Sequence, residues 1–295
     1  MKRGPKKILV SVVVVLAMVA TLFPIAWLFF TSFKPFYEIY HQPPLFVPAH
    51  PTLANWDWVF FGGNVYNTYG NSSVSSIVPG NLIIGSQVAF LNSLIVASSC
   101  TLLALLVGSP AAYSLARFRT GGQNLGYWIL SIRFMPPVTI IFPLFLFFNY
   151  FRALDTYPAL IFSYIGMNLP FVIWTLAAFF EEVPREIDDA AMIDGAGRLE
   201  ILMRFIIPMS IPTIAATAIF TFILGWNELL IALILTRHAA LTLPVTLQAW
   251  NLGTTGLIYG PLSAMALLAV TPGLVLAFYL QKYLVRGLTM GAVKG

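Results

Sequence analysis

Few residues in this chain could do chemistry, and most of their spacings match no enzyme. Cys100 is the only thiol, and His41, His50 and His238 are scattered, so neither a disulfide nor a metal centre is expected. The chain has no GxxxxGK[ST] phosphate loop, no HExxH, no GxSxG and no lysine within a long apolar run to activate a serine; catalysis on this chain is not expected. Carboxylates remain. Seven of the eleven acids (Glu181, Glu182, Glu186, Asp188, Asp189, Asp194 and Glu200) fall between 181 and 204. Pro184 suits a helix's first turn, the following acids suit its positive end, and Gly195 and Gly197 suit its stop, which predicts a short helix over about 184–197. Ile187, Ala190, Ala191 and Asp194 then share a small-residue face. Such a helix is either a solvated connector or a surface on which another protein closes. Glu228, beside Trp226 and Asn227, lies inside an apolar run, where an ionisable group is costly; it reads equally as a pathway or gate group and as a structural anchor. Arg133 lies in another apolar run at a different depth from Glu228, so it is expected to snorkel or to meet a partner subunit.

These residues must be positioned by elements that do not live in water. Of 295 residues 59% are hydrophobic and 9% charged, against about a quarter charged in soluble proteins, and the mean hydropathy is +0.84. The chain reads as an all-α integral membrane protein with spans at about 8–33, 86–116, 124–149, 157–180, 206–235 and 261–284. The first is too long for a cleaved signal and is expected to stay as an anchor. Prolines inside several spans (Pro24, Pro110, Pro136, Pro137, Pro143, Pro170, Pro272) predict kinks, tolerated where neighbouring helices accept the freed carbonyls.

The segment 181–204 holds seven acids and three bases, net −4, against +9 for the rest of a chain whose total is +5. Those bases lie between apolar runs and form no stripe, so nucleic acid is not an expected partner. With the N-terminus inside, twelve bases fall in inner segments and three outside, which puts both termini in the cytoplasm. Residues 34–85 then form the main external loop, with one short helix near Leu53 to Phe60, and 285–295 a cytoplasmic tail.

Asp189-Ala190-Ala191, three residues, Gly195, nine residues and Phe205-Ile206-Ile207-Pro208 resemble the EAA motif of ABC importer permeases. The stretch PREIDDAAMIDGAGRLEILMRFIIPMSIP is similar to its form in carbohydrate-uptake permeases of the maltose and glycerol-3-phosphate type, with Asp189 for Glu, Phe205 for Ile and Ile207 for Leu. The resemblance extends to Phe33-Lys34-Pro35, Asn92-Ser93, Ala112-Tyr113, Ala116-Arg117-Phe118, Met135-Pro136-Pro137, Ile141-Phe142-Pro143-Leu144, Leu154-Asp155-Thr156, Trp226-Asn227-Glu228 and the ending from Gly287 to Gly295.

The resemblance implies the type I ABC importer permease fold: six transmembrane helices in a prokaryotic plasma (inner) membrane. It also implies a coupling helix seated in a separate ATPase subunit. Asp188, Asp189, Ala190, Ala191, Met192, Ile193, Asp194 and Gly195 would carry that contact, with Asp188 and Asp194 pairing with bases on the partner and Gly195 at a close approach. Gly287, Thr289, Gly291 and Lys294 would reach the ATPase dimer, or else the tail is a frayed end. The implied partners are a second homologous permease, an ATPase dimer carrying the ATP and Mg²⁺, an extracytoplasmic solute-binding protein, a sugar substrate and membrane lipid. Trp226 could stack on a sugar ring. An ion-gradient-driven secondary transporter and a non-transporting scaffold or sensor are the alternatives.

Overall fold

The computed structural model describes the backbone of residues 5–61, 86–122, 124–252 and 259–291, and the side chains of 9–61, 86–122, 124–248 and 259–279. Residues 62–85 of the expected external loop 34–85, and Lys294, lie outside the described residues. Every regular element among the described residues is helical. Four helices are long and apolar enough to cross a bilayer, and two bent pairs raise the number to six if each pair is one span. The chain divides into two compact units, residues 1–90 with 246–271 and residues 91–245 with 272–295.

In the first unit α1 (Pro5–Ser32) leads into a folded turn. The short α2 (Phe36–Ile39) places Glu38, which is buried and accepts the backbone N–H of Ala49 (2.9 Å) and His50 (2.8 Å) and bonds His50 Nδ1 (2.9 Å). Burial pushes the Glu38 carboxyl up, but these hydrogen bonds outweigh it and hold the group below its ordinary value. The adjoining α3 (Ala54–Phe61) is the expected short helix, and its Asn55 Nδ2 donates to the carbonyls of Ser32 and Lys34, both at 2.9 Å. Residues 34–61 are therefore folded back on the end of α1, more ordered than a loop. Polar side chains here satisfy backbone groups that helix ends leave open.

In the second unit α4 (Ser86–Phe118) and α7 (Tyr157–Glu182) form the centre. Along α4 every fourth position from Asn92 (Val96, Cys100, Ala104, Gly108, Ala112, Ala116) is small or slender. The matching row on α7 is larger: Leu160, Tyr164, Asn168, Val172, Leu176 and Phe180, all buried. Small residues let the backbones approach, which is how packing and dispersion hold helices together where lipid removes the hydrophobic drive. A Cβ built on Gly108 would lie 2.6 Å from Val172 Cγ1, so only glycine fits that crossing.

Two spans are broken more sharply than a proline kink. The third is split into Leu125–Phe134 and α6 (Pro137–Tyr150), bent by 89° at Met135-Pro136, where two successive prolines remove N–H donors and push the preceding residue out of the helical region. The fifth bends by 83° between Arg198–Met209 and α10 (Ile211–Trp226), with a π-helical turn at Leu202–Ile206 just before Pro208. It breaks again at 227–229 before α11 (Leu230–Leu235).

Candidate functional site

The acidic segment folds as α8 (Glu186–Ile193), starting two residues after Pro184 and ending with a hydrogen-bonded stop. Gly195 takes φ +88°, its N–H bonds Met192 O (3.1 Å), and the N–H of Ala196 bonds Ala191 O (2.9 Å). That pair of bonds is a Schellman C-cap, and the left-handed residue in it favours glycine. Nothing lies within 4 Å of a Cβ placed on Gly195. Within this chain, conformation and not space calls for glycine at Gly195. Gly197 serves the next helix, as the extended residue before Arg198.

The face shared by Ile187, Ala190, Ala191 and Asp194 is divided: Ala191 is buried with Ile187 packed beside it, while Ala190 and Asp194 are exposed. Asp188, expected to pair with a partner's base, is 8% exposed and turned into its own chain. Tyr113 Oη donates to its Oδ1 at 2.6 Å, and Arg117 Nη2 stands 2.9 Å from its Oδ2, close but poorly aligned for a hydrogen bond. Arg117 Nη1 donates to Val183 O at 2.9 Å, at the end of α7. Tyr113 and Arg117 follow each other by one helical turn on α4, so both reach the same carboxylate. The outward face presents Asp189, Ala190, Met192, Ile193 and Asp194, with Ile193 86% exposed. An exposed isoleucine flanked by carboxylates is suited to insertion into another protein.

At the other end of α4 and α7 a second set of polar groups closes on residues 236–243. Asp155, at φ +60°, accepts the backbone N–H groups of Arg237 (3.0 Å), His238 (3.0 Å), Ala239 (2.8 Å) and Ala240 (3.0 Å). Partial burial pushes its carboxyl up, but the four donors outweigh this and leave it below its ordinary value. Asn92 Nδ2 donates to Ala239 O (3.0 Å) and Leu241 O (2.8 Å), Tyr157 Oη donates to Asn92 Oδ1 (2.7 Å), and Ser93 Oγ accepts the N–H of Leu243 (2.7 Å). Asn92, Ser93, Tyr113, Arg117 and Asp155 were visible in the sequence only as marks of resemblance, or not at all. The signal that could find them is their place beside those rows: Asn92 opens the α4 row, Ser93, Tyr113 and Arg117 each follow a member of it, and Asp155 precedes α7.

Trp226, Asn227 and Glu228 sit at the break in the fifth span. The Glu228 carboxylate accepts the N–H of Ile231 (3.0 Å) and Ala232 (3.3 Å), capping the start of α11. Trp226 is 2% exposed and stacked on Phe222 at 5.8 Å, so its indole face is not open to a sugar in this conformation. Asn227 donates to Ile223 O at 2.9 Å. Arg133 donates to Met167 O (2.9 Å) and Asn168 Oδ1 (3.2 Å), in the turn before Pro170. The last helix, α13 (Tyr259–Gly291), carries Gly287, Thr289 and Gly291 in helical backbone where a tail was expected. One interior glycine costs about 1 kcal/mol, too little to end a long helix.

Long apolar helices, two sharply bent pairs and a short acid-rich helix tied to the bundle by Asp188 describe a multi-pass membrane subunit. The chain belongs to the family of binding-protein-dependent transport system inner membrane components, whose model matches residues 101–290; these are permeases of ABC importers. It is 32% identical over 293 residues to the trehalose/maltose transport system permease protein MalG of Thermococcus litoralis, covering 98% of each chain. It is 33% identical over 281 residues to the trehalose transport system permease protein SugB of Mycobacterium tuberculosis, covering 93% of each. The sulfoquinovosyl glycerol transport system permease protein SmoH of Agrobacterium fabrum is also 33% identical, over 93% of this chain and 89% of that one. In fold the chain is similar to a crystal structure of a bacterial ABC transporter involved in the import of the acidic polysaccharide alginate, with a TM-score of 0.72, 19% identity and coverage of 96% of this chain and 98% of that one.

Proposed function

We propose that the chain is one half of the pore of an ATP-driven sugar importer, with six spans, both termini cytoplasmic, and α8 as the helix that docks into a separate ATPase. The observation that carries this reading is the division of α8: Asp188 and Ala191 hold it to its own bundle, while Asp189, Met192, Ile193 and Asp194 face outward. A partner that grips the outward face can move the bundle through the inward one. ATP and Mg²⁺ bind on the ATPase dimer; a second, homologous permease completes the pathway, and a solute-binding protein delivers substrate outside. Closure of the ATPase dimer draws the two docking helices together and shifts the pore between inward- and outward-facing states, a rigid-body change. The relatives named for trehalose, maltose and sulfoquinovosyl glycerol support a substrate of disaccharide or glycosyl-glycerol size. The residues at the ending, Gly287, Thr289, Gly291 and Lys294, extend toward the same ATPase.

Reconstitution of the assembly with its solute-binding protein in liposomes tests the reading. Uptake of a sugar from a panel of trehalose, maltose and sulfoquinovosyl glycerol is expected to require ATP on the ATPase side and to stop with vanadate. Uptake that follows a sodium or proton gradient without the ATPase would establish the secondary-transporter alternative instead.

A further inference from the structure

The two ends of the α4 and α7 pair hold different moving parts. Among the described residues, the polar side-chain ties from α8 to the rest of the second unit run to Tyr113 and Arg117 on α4, and Arg117 also bonds Val183 at the end of α7. At the far end Asn92 and Ser93 of α4, with Asp155 just before α7, hold residues 236–243 by their backbone groups, and Tyr157 Oη of α7 donates to Asn92 Oδ1. Between the ends, α4 runs unbroken through Pro110, and its small row is packed on the large row of α7 by contacts such as Gly108 on Val172, Asn168 on Cys100 (3.9 Å) and the Tyr113 ring on Phe180 (6.5 Å). A close-packed pair of helices transmits displacement because cores of this density do not compress. Asn92 and Arg117 are about 38 Å apart along the helix.

We propose that α4 and α7 act as one strut that carries the motion of α8 to the 236–243 segment at the opposite membrane face, with Tyr113 and Arg117 as positioning residues at one end and Asn92 and Asp155 at the other. This rests on the reading of α8 as the ATPase-docking helix. The strut explains why Asp188 is turned inward from an otherwise outward-facing acidic helix: it is the grip by which the bundle is pulled. It also explains why the far segment is held by backbone groups, which move only if the whole segment moves.

The test uses the complete assembly in liposomes, with a reporter thiol at His238→Cys, an exposed position in the far segment; Cys100 is fully buried and stays unlabelled. A membrane-impermeant maleimide is added outside, and labelling is timed without nucleotide and with ATP, Mg²⁺ and vanadate. The otherwise unaltered chain is expected to show a nucleotide-dependent change in rate. In Tyr113→Phe and in Arg117→Lys that change is expected to fall about fivefold, with the nucleotide-free rate and ATPase co-purification unchanged. Tyr113→Phe combined with Asn92→Ala is expected to lose no more than either alone, since two breaks in one strut are not independent, whereas unconnected sites so far apart would act additively. A full response in both single variants with the ATPase bound, losses that multiply in the double variant, or loss of the ATPase from Tyr113→Phe would each overturn the strut. Absence of any nucleotide response and of vanadate-sensitive ATPase activity before substitution would instead sink the importer reading beneath it.

Discussion

Arg117 and Asp188 face each other at 2.9 Å from separate helices, each no more than 8% exposed. A buried pair of this kind adds little over an apolar pair of the same shape, but removing one member strands the other. Arg117→Met is therefore expected to destabilise the chain by about 3–5 kcal/mol. Arg117→Met with Asp188→Leu is expected to recover more than half of that loss, read as thermal unfolding in detergent. A double variant no more stable than the single one would show that Tyr113 and Val183 depend on Arg117 itself, not on charge balance.

Gly195 gives a prediction about backbone, not bulk. A β-branched side chain in the left-handed region costs about 1–2 kcal/mol, and asparagine tolerates it far better. Gly195→Val should fray the end of α8 and reduce ATP-dependent uptake, while Gly195→Asn should keep both close to normal. Hydrogen exchange at Gly195 and Ala196 reports the cap directly. Equal damage by the two substitutions would mean that an unseen neighbour sets the limit.

Asp155 sets a pH window. Its folded pKa is depressed, so its stabilising contribution is fully present above the ordinary aspartate value of about 4 and is lost as pH falls through the still lower folded value. Amides of Arg237, Ala239 and Ala240 should stay protected from exchange at pH 5 and above and lose protection only below about pH 4. Asp155→Ala should remove the protection at every pH. Protection lost already near pH 6 would assign the control to another group.

The crossing of α4 and α7 predicts a compensating pair. Gly108→Ala puts a methyl group where Val172 already stands, and overpacking of this kind costs about 1–3 kcal/mol. Adding Val172→Ala should restore most of the stability. Failure of the second change to help would place the constraint in the backbone of α4.

The unbroken spans were legible because apolar length alone determines them: Tyr157–Glu182 and Ser86–Phe118 lie within two residues of the ranges read from the sequence. The breaks at Met135-Pro136 and at 227–229 were not, since proline in a span allows anything from a mild kink to an 89° turn, and neighbours decide which. The short helix with its glycine stop was legible from caps. Its inner and outer faces were not, because Asp188 and Asp189 are the same residue type in adjacent positions, and only Tyr113 and Arg117, far away in the chain, decide which turns inward. Glu228 illustrates the same limit: an acid in an apolar run signals a partner, and that partner proved to be the backbone of the next helix.

The length of α4 has a consequence for the membrane itself. A separation of about 38 Å between Asn92 and Arg117 exceeds a hydrocarbon core of about 30 Å by only a few ångströms at each end. An upright α4 would hold both polar clasps just beyond the acyl chains, and a thicker bilayer would then draw one or the other into hydrocarbon. Hydrophobic mismatch then acts on the same helix that bears load, so transport rate should pass through an optimum as lipid acyl length is varied.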